Sequence, residues 1–395
     1  MPAHHGLLFN PFYERHDHKL VGEARRKQLD TILRQMEKAM NANGSLIILL
    51  RGTVGVGKSF TLDTLTKELV SGKKFTNPKS VLAVKFDATI GTTASKYIQY
   101  VCNSALREIG KNTFSTLRSQ FDILVSKTKK DPEELLRGLD RDFKNAFLAL
   151  KDNEPLIWPW LTGEKVDLRD LKKIGVYSRI DSAIIALRVI NSLCRLLRLL
   201  GYAGIALCLD EAEELALAGT KKLVEMLTML KKIHEQNKVE LGRSPSEIVP
   251  MILCLGFTPG TSDLITGTTL YENEMKRTGA AGLSTFLRRI GETFTLESFT
   301  DEDAEEFVIE ILNKARTRSV ESCKPFVRDG VRYINFLSRG IPGYILEYCR
   351  ECLEMADENK ADIDEKNAKK WLIESGKIPE TGLPGEVEEG EEIEA

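Results

Sequence analysis

The segment that most constrains this chain is Gly52-Thr53-Val54-Gly55-Val56-Gly57-Lys58-Ser59. It stands between the apolar run Ser45–Leu50 and the helical pattern Phe60–Val70. Glycine reaches backbone conformations that other residues avoid, so three glycines in this short stretch let the loop turn tightly and gather its N–H groups. The preceding run is short, apolar and contains β-branched isoleucines, and it reads as a buried strand. A strand that passes through such a loop into a helix is the opening unit of a parallel α/β layer.

The same alternation continues downstream. Val81–Phe86, Ile205–Leu209, Ile248–Leu255 and Thr293–Leu296 read as further strands. Residues 104–200 are mostly helical in pattern, with an irregular patch expected at Pro155–Gly163, and Ala212–His234 reads as a helix. The expected fold class is α/β, a parallel sheet between helices. From Thr300 onward the strand signals stop. Thr300-Asp301-Glu302-Asp303 is a helix start with a polar cap and an acidic first turn, and helical spacing recurs to about Ile373. The expected organisation is an N-terminal arm at 1–20, an α/β domain at 21–298 with a helical insertion around 104–180, and an all-helical domain at 299–376. An acidic, disordered tail at 377–395 follows. Within it, from Ile378 onward, seven glutamates stand without a single Lys or Arg.

Composition excludes some classes. With 42% hydrophobic residues in 395, the chain can bury a large core. The longest apolar stretch, Ala183–Leu200, is broken by Arg188, Asn191, Arg195 and Arg198, so no membrane helix is expected. The start lacks a signal-peptide pattern, and a soluble cytoplasmic protein is expected. Cys349 and Cys352 form a lone CxxC in the helical-looking segment Tyr344–Asp357 and read as small apolar core residues. Four of the five histidines fall within residues 4–18 and read as part of an exposed arm. The net charge of −2 announces no global field for nucleic acid. Local basic clusters remain at Arg25-Arg26-Lys27, Lys127 to Lys130 and Lys231-Lys232.

Gly52 to Ser59 fits GxxxxGKS, the pattern in which backbone N–H groups wrap a phosphate chain. Gly52, Thr53, Val54, Gly55, Val56, Gly57, Lys58, Ser59 and Phe60 are the expected ATP contacts. Lys58 would reach the β- and γ-phosphates, and the Ser59 hydroxyl would bind Mg²⁺. The apolar strand Ile205–Leu209 ends in Asp210-Glu211. Asp210 at the ligand-bearing edge of the sheet can hold Mg²⁺ through water, and Glu211 can polarise an attacking water. Asp87, after the second strand, is a weaker competitor for the metal role. Thr258, at the end of the fourth strand, is either a contact to the γ-phosphate or its water, or an ordinary strand-end threonine. Arg288 and Arg289 precede the fifth strand. Arg289 is the candidate arginine finger reaching a neighbouring subunit's nucleotide, the alternative being a surface arginine pair.

These residues, in this order, resemble an AAA+ ATPase of the branch containing the Orc/Cdc6 initiators. Asn10-Pro11-Phe12 and Leu20-Val21-Gly22-Glu23 are similar to that branch's N-terminal stretch beside the adenine, with Gly22-Glu23-Ala24 where the family has Gly-Arg-Glu. Phe299 to Ala304 resembles the start of its helical lid. A narrower likeness lies in Trp160-Leu161-Thr162-Gly163, in Gly201-Tyr202-Ala203-Gly204-Ile205, and in Asp210-Glu211-Ala212-Glu213. It resembles the ATP-binding proteins of BREX phage-defence systems. Two departures stand out. Lids of the Orc branch carry an arginine directly after Gly-x-Pro, whereas this chain has Gly340-Ile341-Pro342-Gly343, so the sensor is missing or displaced to Arg339. The acidic stretch after Trp371 is too short for the winged helix of the initiators.

The resemblance implies a homo-oligomer that binds and hydrolyses Mg·ATP in a DNA-associated complex, with defence against phage as the setting. The alternative is a slow ATP-holding switch that recruits a protein partner. Any DNA contact must come from the local basic patches.

Overall fold

The computed structural model describes residues 7–13, 19–75, 80–88, 94–212, 249–261 and 290–380, together with Glu214, Glu225, Leu227, Thr228 and Leu230. Five strands form one parallel sheet: β1 (Leu46–Arg51), β2 (Val81–Asp87), β3 (Gly204–Asp210), β4 (Met251–Phe257) and β5 (Ile290–Thr295), in the order β2-β3-β4-β1-β5. Every residue of β3 and β4 is buried, as expected for strands with neighbours on both sides and covered faces. β5 begins earlier than its apolar signal. Its Gly291 and Glu292 are exposed, so burial could not mark its start.

Among the described residues the helices are α1 (Glu23–Asn41), α2 (Lys58–Ser71), α3 (Ala94–Thr128), α4 (Pro132–Leu135), α5 (Arg141–Leu161), α6 (Leu168–Lys173) and α7 (Ala183–Leu199). After the sheet come α8 (Asp301–Lys314), α9 (Arg328–Leu337), α10 (Pro342–Asn359) and α11 (Glu365–Glu374). α1 ends where Asn43 turns left-handed (φ 48°) and Gly44 N–H donates to Ala39 O. α8 starts on a capping box in which Thr300 and Asp303 each accept from the other's backbone N–H.

The chain divides into two compact units. A lid unit takes Met1–Leu29, Gly52–Phe60 and Leu296–Ala395; a sheet unit takes Asp30–Arg51 and Thr61–Thr295. The chain passes between them inside α1 and again inside α2. In the sheet unit, Tyr97, Phe114, Phe121, Phe143, Trp160 and Leu193 join the sheet side chains in one core. In the lid unit, Phe307, Phe326, Ile345 and Trp371 centre a second core.

Two expectations fail here. Pro155–Gly163 is not an irregular patch, because residues 155–161 belong to α5. The helix breaks instead at Asn153 (φ −133°), which places Pro155 in the first turn of the resumed helix, where a missing N–H costs nothing. Trp160 is buried there, with its indole N–H donating to Ser178 O at 2.7 Å. Nor are Leu7 and Phe12 part of an exposed arm. Both are buried in the lid core, with Phe12 edge-on to Phe326. His4, His5, His16 and His18 lie outside the described residues, as does most of the expected helix Ala212–His234 and the tail from 381.

Trp371 fills the middle of the lid core, so Trp371→Ala should cost about 3–5 kcal/mol, as cavity-forming aromatic truncations do. Urea unfolding followed by circular dichroism would show an early transition of the lid unit. An unchanged midpoint would remove Trp371 from the core it is assigned to.

Candidate functional site

In the lid unit, the glycine-rich loop leaves β1 at Gly52, and α2 begins at Lys58. Gly55 and Gly57 have φ of +80° and +102°, which only glycine adopts cheaply. Val56 N–H donates to Thr53 O at 3.3 Å, closing the tip into a turn. Lys58 is only 7% exposed. Its ammonium folds back into the loop, donating to Gly52 O at 2.9 Å and Thr53 O at 3.3 Å. Ser59 and Phe60 follow, half-buried in the first turn of α2, and that turn carries no acidic residue. A positive helix end, loop amides and a lysine therefore stand together without a carboxylate in the turn itself.

Two groups hold this loop from behind, and neither was expected. Arg25, 8% exposed at the start of α1, donates from Nη1 to Val56 O at 2.9 Å and from Nη2 to Glu297 O at 2.5 Å. Its guanidinium lies over the Phe299 ring, 4.2 Å from the centroid. Burial pushes the guanidinium pKa down to about 10 against the pull of Asp303, so the group stays charged at neutral pH. The second tie is Gly343 N–H, at the start of α10, which donates to Gly55 O at 3.0 Å. A Cβ on Gly343 would lie 3.1 Å from Gly55 Cα and 3.2 Å from its oxygen. Gly343 and Gly55 thus form a main-chain junction. Arg339 sits in the preceding turn with φ 52° and an exposed side chain.

In the sheet unit, Asp210 ends β3 and is 3% exposed. Its Oδ1 accepts from Glu211 N–H at 3.1 Å, and its Oδ2 accepts from Lys85 Nζ at 3.1 Å. Lys85, on β2, also meets Asp63 Oδ1 at 3.2 Å. Burial disfavours the lysine's charge, but Asp210 and then Asp63 outweigh it and hold the ammonium pKa above its ordinary value. Glu211 takes the left-handed region (φ 50°), a strained conformation for a non-glycine residue. Ala212 N–H then donates to Gly256 O, fastening this turn to β4, and the Glu211 side chain is exposed. Asp87 lies opposite Asp210 in register, also exposed. Thr258 follows β4 directly, its hydroxyl 3.2 Å from that of Thr261.

Other sequence candidates fall elsewhere. Arg288 and Arg289 lie outside the described residues. The cluster Arg25-Arg26-Lys27 is not a free basic patch: Arg25 is buried, Arg26 pairs with Glu306 at 2.6 Å and Lys27 with Glu23 at 2.5 Å. Lys127, Lys129 and Lys130 are exposed at and beyond the end of α3. Lys231-Lys232 is outside the described residues. Cys349 and Cys352 are fully buried in α10. Among the described residues no cluster of three or more His, Cys, Asp or Glu could hold a metal ion, and no helix is long and apolar enough to cross a membrane.

Residues 150–322, somewhat less than half of the chain, match the family model of the BREX system ATP-binding protein BrxC/D. No curated protein matches the chain. Among solved structures, the ORC2 protein of Aeropyrum pernix in its ADPNP-ADP complexes is similar with a TM-score of 0.51 at 12% identity, over 92% of this chain and 70% of that one. Its ADP form gives a TM-score of 0.53 at 12% identity, over 93% and 73%. The fold is therefore that of the Orc-type AAA+ proteins. The narrower likeness to BREX ATP-binding proteins holds over the matched stretch, which includes Asp210 and Glu211 but not the glycine-rich loop.

Sequence reading missed Arg25, Lys85 and Gly343. Only Lys85 left a signal, as a lone charge inside the apolar strand Val81–Phe86. Lys85→Met should destabilise the protein by about 2–3 kcal/mol, less than a fully buried broken pair because Lys85 and Asp63 keep some water contact. Adding Asp210→Asn should recover part of that loss in thermal melts. Strict additivity of the two changes would mean that the pair does not interact.

Proposed function

We propose that this chain binds ATP with Mg²⁺ through Gly52 to Phe60 and hydrolyses it. The observation that carries this reading is the posture of Lys58: a buried ammonium held at the mouth of the loop by Gly52 and Thr53 carbonyls, among glycines that leave no side chain in a phosphate's way. The likeness to BREX ATP-binding proteins supports ATP as the ligand, and the Aeropyrum pernix protein of this fold was solved with adenine nucleotides.

The residue types read from the sequence suit Mg²⁺. The Ser59 hydroxyl and the Asp210 carboxylate are the hard oxygen ligands that this ion takes, usually together with water. When bound, the ion would neutralise charge on the phosphates. Lys58 would turn from the loop carbonyls to the β- and γ-phosphates, and the amides of the loop and first turn would receive the phosphate oxygens. Glu211 would act as the base that polarises water, with its carboxylate placed by the strained turn after Asp210. Thr258 would orient that water or the γ-phosphate, and Arg289 would complete a neighbouring subunit's site. This last role implies a homo-oligomer.

The setting we propose is a DNA-associated complex in defence against phage, on the strength of the BREX likeness. Gly343 favours a second reading. A lid whose sensor arginine is missing or displaced to Arg339 is less fitted to report phosphate loss, which suits a slow switch that holds ATP and recruits a protein partner.

Lys58→Ala should abolish tight Mg·ATP binding in calorimetry. Glu211→Gln should bind and retain ATP unhydrolysed, with turnover reduced by roughly a hundredfold or more. Wild-type binding by the first variant would sink the loop assignment, and wild-type turnover by the second would transfer the base role to Asp87.

DNA contact, once Arg25 to Lys27 are set aside, falls on Lys127, Lys129 and Lys130. Binding to a labelled duplex should be weak, independent of sequence, improved by ATP and steeply lost with salt, because phosphate contacts release counterions. Replacing the three lysines by alanine should flatten the salt dependence in fluorescence anisotropy. No binding at low salt with nucleotide present would leave a protein partner as the better reading.

A further inference from the structure

We infer that Lys85 is a positioning residue of the metal site, a fixed counter-charge that keeps Asp63 and Asp210 from taking a divalent cation in the nucleotide-free protein. The inference rests on the reading of Asp210 as the carboxylate that meets Mg²⁺.

Strand alternation sends Leu82, Val84 and Phe86 of β2 into the core of the sheet unit, so Lys85 leaves the strand on the opposite face. In register it stands across from Cys208 of β3, two residues before Asp210, and its long side chain reaches diagonally toward the carboxyl edge of the sheet. There Nζ lies 3.1 Å from Asp210 Oδ2 and 3.2 Å from Asp63 Oδ1. Asp63 belongs to α2, so one ammonium joins that helix to the end of β3.

Two carboxylates share one cation here. Neutralising the buried Asp210 needs a single positive charge, and the second carboxylate leaves the trio net negative. A space that seats an ammonium between two carboxylate oxygens also suits a divalent ion, which takes such oxygens directly or through its own waters. The pair is within reach of solvent, because the Asp63 side chain is 33% exposed although that of Asp210 is only 4% exposed. An ion that approaches Asp63 therefore meets the Lys85 ammonium beside it. Like charges a few ångströms apart repel, and partial burial screens them less than bulk water would. Asp210 Oδ1 is meanwhile directed by Glu211 N–H at 3.1 Å, so both oxygens of this carboxylate are held in place before any ion arrives. The consequence is an order of binding. The carboxylates hold no ion by themselves, and metal enters as its nucleotide complex, whose phosphates bring the negative charge that Lys85 offsets.

The test follows Mn²⁺, which shares the charge and the oxygen preference of Mg²⁺, in the nucleotide-free full chain. Free Mn²⁺ is counted by electron paramagnetic resonance, and melting temperatures are recorded with and without the ion. Wild type should bind Mn²⁺ weakly and melt at the same temperature in its presence. Lys85→Met should bind it about tenfold more tightly or better, because a like charge has left the site. The ion should also restore part of the melting temperature that the substitution costs, since a ligand of the folded state stabilises that state. Adding Asp63→Asn or Asp210→Asn to Lys85→Met should abolish both effects. A lysine that served only to neutralise a buried carboxylate would lower stability on removal without creating a Mn²⁺ site. Should Lys85→Met fail to fold, Lys85→Gln, which keeps a donor and loses the charge, decides by the same readouts. Mn²⁺ affinity at the wild-type level in the folded variant would overturn the inference. So would tight Mn²⁺ binding by nucleotide-free wild type, or a new site that survives both carboxylate changes. Unchanged Mn·ATP affinity in Asp210→Asn alone would instead remove Asp210 from the metal site, and it is that reading which falls.

Discussion

Parallel pairing in register is the constraint from which the rest of the structure follows. β1 pairs with β4 on one side and β5 on the other, and β3 pairs with β4, all in the same direction. Every carboxyl end in the sheet therefore lies on one edge, which is where open α/β sheets place their ligands. Arg51 ends β1 on that edge and passes the chain to Gly52, while Asp210 ends β3 and Phe257 ends β4 there. The candidate residues Asp210 and Thr258 stand at the end of β3 and just past the end of β4. Four apolar residues of β1, Ile47 to Leu50, are buried, so the root of the loop is fixed even though the loop itself is built from residues with little conformational preference.

Three cations, two in the lid unit and one in the sheet unit, are each held by partners of their own unit. The Lys58 ammonium rests on loop carbonyls, Lys85 lies between Asp210 and Asp63, and Arg25 lies between two main-chain oxygens and an aromatic face. Burying a cation without such partners costs several kcal/mol, so each arrangement is a condition of folding. The three differ in what they leave available. Lys58 bonds neutral main-chain oxygens of its own loop. Lys85 faces carboxylates and stays where it is. Arg25 is held on three sides and serves as a fixed point. Basic residues that look alike in the sequence therefore do different work, and a run of them is no measure of basic surface.

In the lid unit, Gly343 brings the main chain of α10 to within hydrogen-bonding distance of Gly55. Close approach of two backbones requires that neither carry a Cβ in the way, and here both residues are glycine. The loop and the start of α10 are thus coupled by main-chain contact, a shorter and stiffer link than a side chain.

The amino-acid sequence by itself determined the elements whose signals are local. Apolar runs marked the five strands, the GxxxxGKS spacing marked the loop, Asp210-Glu211 marked the end of β3, and Thr300 with Asp303 marked the start of α8. Each depends on neighbours a few residues away, so a linear reading reaches it. Tertiary structure decided everything that depends on distant partners. Arg25 reads as one of three basic residues until Val56, Glu297 and Phe299 surround it. Lys85 is an oddity in an apolar strand until Asp63 and Asp210 supply its counter-charges. Pro155 and Pro159 look like a break, yet the kink at Asn153 and the burial of Trp160 let the helix continue. Leu7 and Phe12 read as part of a loose arm until the lid core covers them. Hydrogen-bond partners and burial are set by which surfaces meet, and nothing in the local spacing of residues carries that information.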